Sequence, residues 1–114
     1  GYELYSSKGN AIPTSVRNKL LNSMKGNSVT FQKTRQKYGY FVTERMLTLP
    51  SSRTITTYGH PGGGGGYSTL LRYSPELDLS IAILVNSPLK FKGSCKKYDP
   101  RTCVAESIFA AYSK

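Results

Sequence analysis

The chain has 114 residues, a formal net charge of +10 at pH 7 and 38% apolar residues. This length suffices for one domain with a single modest core. The longest apolar runs, such as Ile81–Val85, are far shorter than the ~20 residues that a membrane-spanning helix needs. The composition therefore excludes a membrane-spanning helix, and the recurrent apolar and aromatic residues exclude a long disordered chain.

The positive charge favours acidic partners such as nucleic acid, anionic glycans or an acidic subunit. The basic residues are scattered, however, and the densest group surrounds a loop without the alternating aromatic residues on which bases stack. A solvated basic surface is the favoured interpretation, and no nucleic-acid partner is predicted. The group consists of Lys90, Lys92, Lys96, Lys97 and Arg101.

One helix is predicted near the N-terminus, after about a dozen polar, turn-like residues. Thr14 or Ser15 can cap it directly after Pro13, and Gly26 is suited to end it in the left-handed conformation. Its apolar stripe is Val16, Leu20, Leu21 and Met24.

Four strands are predicted in the middle of the chain, joined by short connections that favour an antiparallel sheet. The last of them is the most apolar, which predicts a central strand buried on both faces. The four segments are Tyr38–Thr43, Arg53–Tyr58, Tyr67–Tyr73 and Leu79–Val85.

A C-terminal helix is predicted from Asp99–Pro100, because Asp is a good N-cap and Pro fits the first helical position. The predicted fold class is α+β, an antiparallel sheet of about four strands flanked by an N-terminal and a C-terminal helix. The apolar stripe of the last helix is Val104, Ile108, Phe109 and Tyr112.

Cys95 and Cys103 are eight residues apart, and the chain has a single histidine. A Cys/His zinc site therefore lacks ligands, and neither a metal nor another cofactor is predicted. A local disulfide is favoured over two reduced thiols. It implies a secreted protein or another oxidising compartment.

The densest local pattern is the glycine-rich segment Tyr58–Ser68, in which Gly62–Gly66 are consecutive. Such a run is entropically costly and needs a reason. A phosphate-binding P-loop would continue with Lys and Ser or Thr, whereas Tyr67 follows here. A dinucleotide fingerprint would be followed by a helix, but a strand is predicted. A flexible hairpin tip remains as the structural alternative.

The segment also resembles the third active-site motif of the serine β-lactamase-like hydrolases, which include class C β-lactamases, D,D-peptidases and related esterases. The motif residues are Gly59-His60-Pro61-Gly62-Gly63, then Gly64-Gly65, then Gly66-Tyr67-Ser68-Thr69. The resemblance continues without a gap through the turn Tyr73-Ser74-Pro75-Glu76 to Asn86. It begins at the aromatic-glycine segment Tyr38–Val42 and extends loosely through the C-terminal helix.

This resemblance implies that residues 1–114 are a single partial domain, the C-terminal part of a β-lactamase-like fold. It implies that Gly63 donates its N–H to the oxyanion of acyl transfer, and that His60 adds positive or hydrogen-bonding character beside the nucleophile. The implied substrate-binding residues are Tyr58, Pro61, Gly62 and Gly64. Pro61 departs from the family pattern because it has neither an N–H nor a hydroxyl group.

The family's nucleophile lies upstream in Ser-x-x-Lys, and its second motif is Tyr-x-Asn, which this chain lacks. Two Ser-x-x-Lys matches, Ser87–Lys90 and Ser94–Lys97, follow the glycine motif and are interpreted as accidental. The chain alone is therefore predicted to be inactive.

Two hypotheses for the whole protein follow. In the first, the chain is the C-terminal chain of a serine hydrolase-like protein, completed by a second chain from the same precursor that carries Ser-x-x-Lys. The start at Gly1 fits such proteolytic maturation. In the second, a non-catalytic binding or structural protein reuses the half-domain as a homo-oligomer and offers its basic surface to acidic partners.

Overall fold

The fold, described here from a computed structural model, places six strands between helices at the two ends of the chain. The structure describes residues 2–31, 34–86, 93–96 and 98–113. The helices are α1 (Tyr2–Tyr5), α2 (Thr14–Asn22) and α3 (Pro100–Tyr112), with a short 3₁₀ turn at Gly93–Cys95 before α3. The strands are β1 (Ser28–Phe31), β2 (Thr34–Tyr38), β3 (Thr43–Thr48), β4 (Thr54–Gly64), β5 (Tyr67–Ser74) and β6 (Leu79–Val85).

The strands form one antiparallel sheet in the order β1-β2-β3-β4-β5-β6. The α+β class is as predicted, but the number of strands is six rather than about four. The hairpin of β1 and β2 was not predicted from the sequence. The predicted strand Tyr38–Thr43 is wrong, because Phe41 adopts a φ of 53° and the chain reverses between β2 and β3.

The position of β6 also differs from the prediction. This strand is the last in the sheet order rather than a central strand. Its side chains alternate in exposure, and Leu84 is 78% exposed. An apolar run is typical of a strand covered on both faces, but here one face of β6 lacks a cover among the described residues.

The main core lies between one face of the sheet and α3. Leu47 pairs with Ile55, and Leu70 pairs with Ile83, so their side chains share this face. Phe109 of α3 is fully buried against them. The buried members of this cluster are Leu47, Leu49, Ile55, Leu70, Ala105 and Phe109.

A second cluster lies on the opposite face, where α1 and α2 pack. Tyr73 is three residues from Leu70, so its side chain points to the other side of β5. The cluster consists of Tyr5, Met24, Val42 and Tyr73. It fixes the N-terminal helices to this face of the sheet.

The helix ends agree only in part with the sequence. Asp99 caps α3 through a hydrogen bond accepted from the Arg101 N–H, as predicted. Gly26 has a φ of 79°, but α2 already ends at Asn22 with Ser23 as its C-cap, so the prediction that Gly26 ends this helix is wrong. The N-cap of α2 is Pro13 without a side-chain cap, so the predicted Thr14 or Ser15 cap is wrong. Helix α1 was not predicted.

The predicted stripe of α3 is wrong in two of its four positions. Phe109 is buried and Ile108 is half-buried, but Val104 and Tyr112 are 42% and 69% exposed. The N-terminal part of α3 is instead buried through Arg101, Thr102 and Cys103.

None of the helices in the described part of the chain is both long and apolar enough to cross a membrane.

Candidate active site

The glycine motif lies on a half of β4 that is paired on one side only. Strand β3 pairs with β4 as far as Gly59, whereas β5 pairs with it as far as Gly64. The segment from His60 to Gly64 therefore has a free edge on the β3 side within the described residues. The turn to β5 is Gly65-Gly66, with φ values of 56° and 87°, which is the two-residue type I′ geometry that favours glycine.

The register decides which backbone groups point to this free edge. In a two-residue hairpin the flanking pair, Gly64 and Tyr67, is hydrogen-bonded, and hydrogen-bonded pairs alternate with non-hydrogen-bonded pairs. Gly63, paired with Ser68, is therefore in a non-hydrogen-bonded pair, and its N–H points away from β5. The carbonyl group of Pro61 points the same way. The lack of an N–H at Pro61 costs no hydrogen bond to β5, because its nitrogen faces the free edge of the strand.

A cleft of about 600 Å³ lies along this free edge. The hairpin of β1 and β2 forms one side of it, and the glycine segment of β4 forms the other. Its lining residues are Val29, Thr30, Gln36, Tyr38, Thr43, His60, Pro61, Gly62, Gly63, Ser68 and Arg101.

His60 is held by contacts at both of its ring nitrogens. Its Nε2 lies 2.8 Å from the hydroxyl oxygen of Tyr38, the last residue of β2. Its Nδ1 contacts the carbonyl oxygen of Pro61. The Tyr38 and His60 rings meet edge to face, with centroids 5.6 Å apart. The imidazole of His60 on β4 is thus held against the end of β2.

Arg101 fixes the glycine strand from the side of α3. Its Nη1 donates to the carbonyl oxygens of Gly62 and Thr69, both at 2.9 Å. Its Nε and Nη2 donate to the two carboxylate oxygens of Asp99, at 3.1 and 2.8 Å. Burial raises the pKa of the Asp99 carboxyl group, but the hydrogen bonds and charge of Arg101 outweigh it and bring the net pKa below its ordinary value.

A second buried arginine lies behind the cleft. Arg72 is 1% exposed and donates to the hydroxyl oxygen of Thr43 at 2.8 Å. The Thr43 hydroxyl in turn donates to the carbonyl oxygen of Gly59. Burial, together with the like charge of Arg45, lowers the pKa of Arg72 to about 10. Arg72 thus braces β3 against β4 just where their pairing ends.

Gly59 is required at this point by the close approach of β5. A Cβ atom there would lie 1.9 Å from the backbone oxygen of Leu71. Gly63 is not sterically restricted, because a Cβ there would meet only ordinary contacts at 3.5 Å or more.

Four of the six residues assigned by resemblance meet at the cleft: His60, Pro61, Gly62 and Gly63. Gly64 precedes the turn and is not part of the lining. Tyr58 packs against Tyr5, with ring centroids 6.3 Å apart, near a smaller depression of about 270 Å³. The functional roles of all six residues remain predictions.

The predicted disulfide between Cys95 and Cys103 is present in the structure, with Cα atoms 5.6 Å apart. It joins the 3₁₀ turn to the first turn of α3. Of the two Ser-x-x-Lys matches, Ser87–Lys90 lies outside the described residues, as does Lys97 of the second.

Several cleft residues were missed at the sequence level. The sequence places Tyr38 in a predicted strand and Arg101 in a basic group around a loop, and it indicates a role in the site for neither. Their positions depend on pairing across the sheet and on helix docking, which local sequence patterns do not report. The missed lining residues are Val29, Thr30, Gln36, Tyr38, Thr43, Ser68 and Arg101.

Comparison with protein families gives one match, to the family described as Beta-lactamase, over residues 2–103 of the chain. Comparisons with curated proteins and with solved structures gave no match.

Proposed function

Since the chain belongs to the β-lactamase family, we propose that it forms one wall of the acyl-transfer site of a serine hydrolase. In this proposal the backbone N–H of Gly63 donates to the oxyanion that develops when a nucleophile attacks a carbonyl group. His60, Pro61 and Gly62 form the adjacent surface along which the substrate lies. Tyr58 and Gly64 support this strand at its two ends.

The observation that carries the proposal is the free edge of β4 beside the cleft. An N–H group stabilises an oxyanion only if no neighbouring strand uses it. The register directs the Gly63 N–H away from β5, and no described residue of β3 pairs with it. The absence of a side chain at Gly62 allows an acyl group to approach the backbone.

The nucleophile belongs to another segment in this proposal. Ser68 is the one serine that lines the cleft in the described part of the chain, and no hydrogen bond links its hydroxyl group there to a lysine or histidine. A serine without such a base is a weak nucleophile. A second chain, or a segment of a longer precursor, would supply an activated serine in Ser-x-x-Lys.

The outer edge of β6 is the expected place for part of that second segment. Among the described residues β6 is the last strand of the sheet, and its Leu84 is 78% exposed. An apolar edge strand invites pairing with a further strand. The Cys95–Cys103 disulfide fits maturation in an oxidising compartment, and we place the assembled protein there.

The test is covalent labelling of the natively purified protein with a fluorophosphonate and, separately, with penicillin. We expect the label on a serine of a companion segment that carries Ser-x-x-Lys, and no label on the isolated 114-residue chain. Mass spectrometry of the labelled peptide identifies the serine.

Two results contradict the proposal. Labelling of Ser87 or Ser94 in this chain would show that a local motif supplies the nucleophile. A folded native species of 12.6 kDa without a companion segment, inert to both probes, would favour the non-catalytic binding protein instead.

A further inference from the structure

The hydrogen bonds of His60 determine where its proton lies. The oxygen of Pro61 is a carbonyl oxygen and can only accept, so the His60 Nδ1 beside it must carry a hydrogen. An uncharged imidazole has one N–H, and its Nε2 is then a bare acceptor. The hydroxyl group 2.8 Å from Nε2 is that of Tyr38, which must therefore donate.

We infer that Tyr38 is a positioning residue that locks the uncharged His60 ring in the Nδ1–H tautomer. The tautomer of a histidine is set by the partners of its two nitrogens. Both partners here come from the local backbone and strand arrangement: Pro61 presents its carbonyl group because β4 has a free edge, and Tyr38 ends β2 opposite it.

The Nδ1–H tautomer of His60 determines which hydrogen-bonding groups the cleft presents to a ligand. Both His60 nitrogens are engaged within the chain, so the uncharged ring presents no N–H to the cleft. The hydroxyl hydrogen of Tyr38 is used by Nε2, so its oxygen can only accept a hydrogen bond from a ligand in the cleft. A ligand group beside Tyr38 has to donate a hydrogen bond, whereas a group beside Gly63 has to accept one.

This reverses the expectation that His60 itself adds a donor or a positive charge beside the nucleophile. The consequence for acyl transfer rests on the proposed function, but the positions of the hydrogens do not. The tautomer can be measured without substrate or companion chain, so the two ideas fail separately.

His60 is the only histidine in the 114-residue chain, so its ring signals are unambiguous. The experiment is ¹⁵N–¹H NMR of the imidazole in the full chain, at a pH where the ring is uncharged. We expect the Nδ1–H tautomer to be the major form in the wild-type protein. A wild-type spectrum dominated by the Nε2–H tautomer overturns the inference.

The variant Tyr38→Phe removes the hydroxyl donor and keeps the ring. We expect the Nδ1–H form to lose its majority, because Nε2 no longer has its partner. Tyr40→Phe is the matched control, since Tyr40 is 70% exposed and lies two residues away; its tautomer ratio should equal that of the wild type. An unchanged ratio in folded Tyr38→Phe contradicts the lock. If Tyr38→Phe does not fold, the wild-type tautomer alone decides.

Discussion

A guanidinium nitrogen of Arg101 lies 2.9 Å from the carbonyl oxygen of Gly62, and this contact ties the first turn of α3 to the glycine strand. The Nε and Nη2 atoms of Arg101 donate to Asp99, whose side chain is 9% exposed. The disulfide at Cys103 joins the same helical turn to the 3₁₀ turn before it. The glycine segment of β4, which has no side chains to pack, is thus positioned through the backbone carbonyl group of Gly62.

Arg101→Ala is expected to destabilise the protein by about 3–5 kcal/mol, because it leaves the buried Asp99 carboxylate without its partner. Chemical denaturation of the chain measures this. Arg53→Ala is the control: the Arg53–Glu76 pair is exposed and 3.7 Å long, so its loss should cost no more than about 1 kcal/mol. Equal losses in both variants would show that the Arg101 contacts contribute little.

The lowered pKa of Asp99 predicts that the stability of the folded protein depends on pH. Burial raises the pKa of Asp99 in the folded state, but Arg101 lowers it more, so the net pKa is below its ordinary value. Asp99 therefore stabilises the folded state above the ordinary carboxyl pKa of about 3.9, and this stabilisation is lost as the pH falls further. Asp99→Asn lacks this contribution. The stability difference between wild type and Asp99→Asn should be constant near neutral pH and shrink below about pH 4.

Comparison with this variant is needed because Glu106 acts in the opposite direction. Burial raises the pKa of Glu106, so that group favours the folded state more as the pH falls through its folded pKa. A wild-type minus variant difference that stays constant down to pH 2 would contradict the Asp99 assignment.

Reduction of the Cys95–Cys103 disulfide should cost about 2–3 kcal/mol by the chain-entropy estimate, because the loop it closes is short. We expect hydrogen exchange to accelerate in the first turn of α3 while the β4–β5 amides stay protected. Alkylation without reductant should find no free thiol, and two alkylated cysteines in the native protein would rule the disulfide out.

Gly59→Ala should be strongly destabilising, by about 3 kcal/mol or more, since its Cβ would lie 1.9 Å from the Leu71 backbone oxygen. Gly64→Ala is the matched control, because nothing lies within 4 Å of a Cβ there. Gly64→Ala should be neutral or should stabilise the protein by up to about 1 kcal/mol, because alanine lowers the conformational entropy of the unfolded chain. Thermal unfolding of both variants tests the register of β4 with β5.

In the assembled hydrolase, Gly63→Pro removes the proposed oxyanion donor and should lower kcat by about 10²–10³. Gly63→Ala keeps the N–H and meets only contacts of 3.5 Å or more, so it should retain most activity. His60→Ala should cost less than Gly63→Pro. If Gly63→Pro and Gly63→Ala have the same kcat, the Gly63 N–H is not the donor.

Part of the strand arrangement could be predicted. The hairpin of β4 and β5 follows from glycines that allow positive φ at Gly65 and Gly66, and the cap of α3 follows from Asp99 and Pro100. Tyr38–Thr43 was misassigned because aromatic and β-branched residues favour strands on average, whereas Phe41 here adopts a positive φ within a turn.

The position of β6 in the sheet could not be predicted from its sequence. Its apolar run reports that the side chains are suited to burial, but not which surface buries them. The sheet order leaves β6 at an edge, with Leu84 exposed among the described residues. A pattern along one strand contains no information on how many neighbours that strand has.

The sequence by itself indicated the family, a disulfide between the two cysteines and the glycine motif around His60 and Gly63, because each depends on residues close together in the chain. Only the tertiary structure decided that Tyr38 faces His60 and that Arg101 binds the Gly62 carbonyl group. These contacts join residues 22 and 39 positions apart. They arise from strand register and helix docking, which are properties of the packed chain rather than of any local segment.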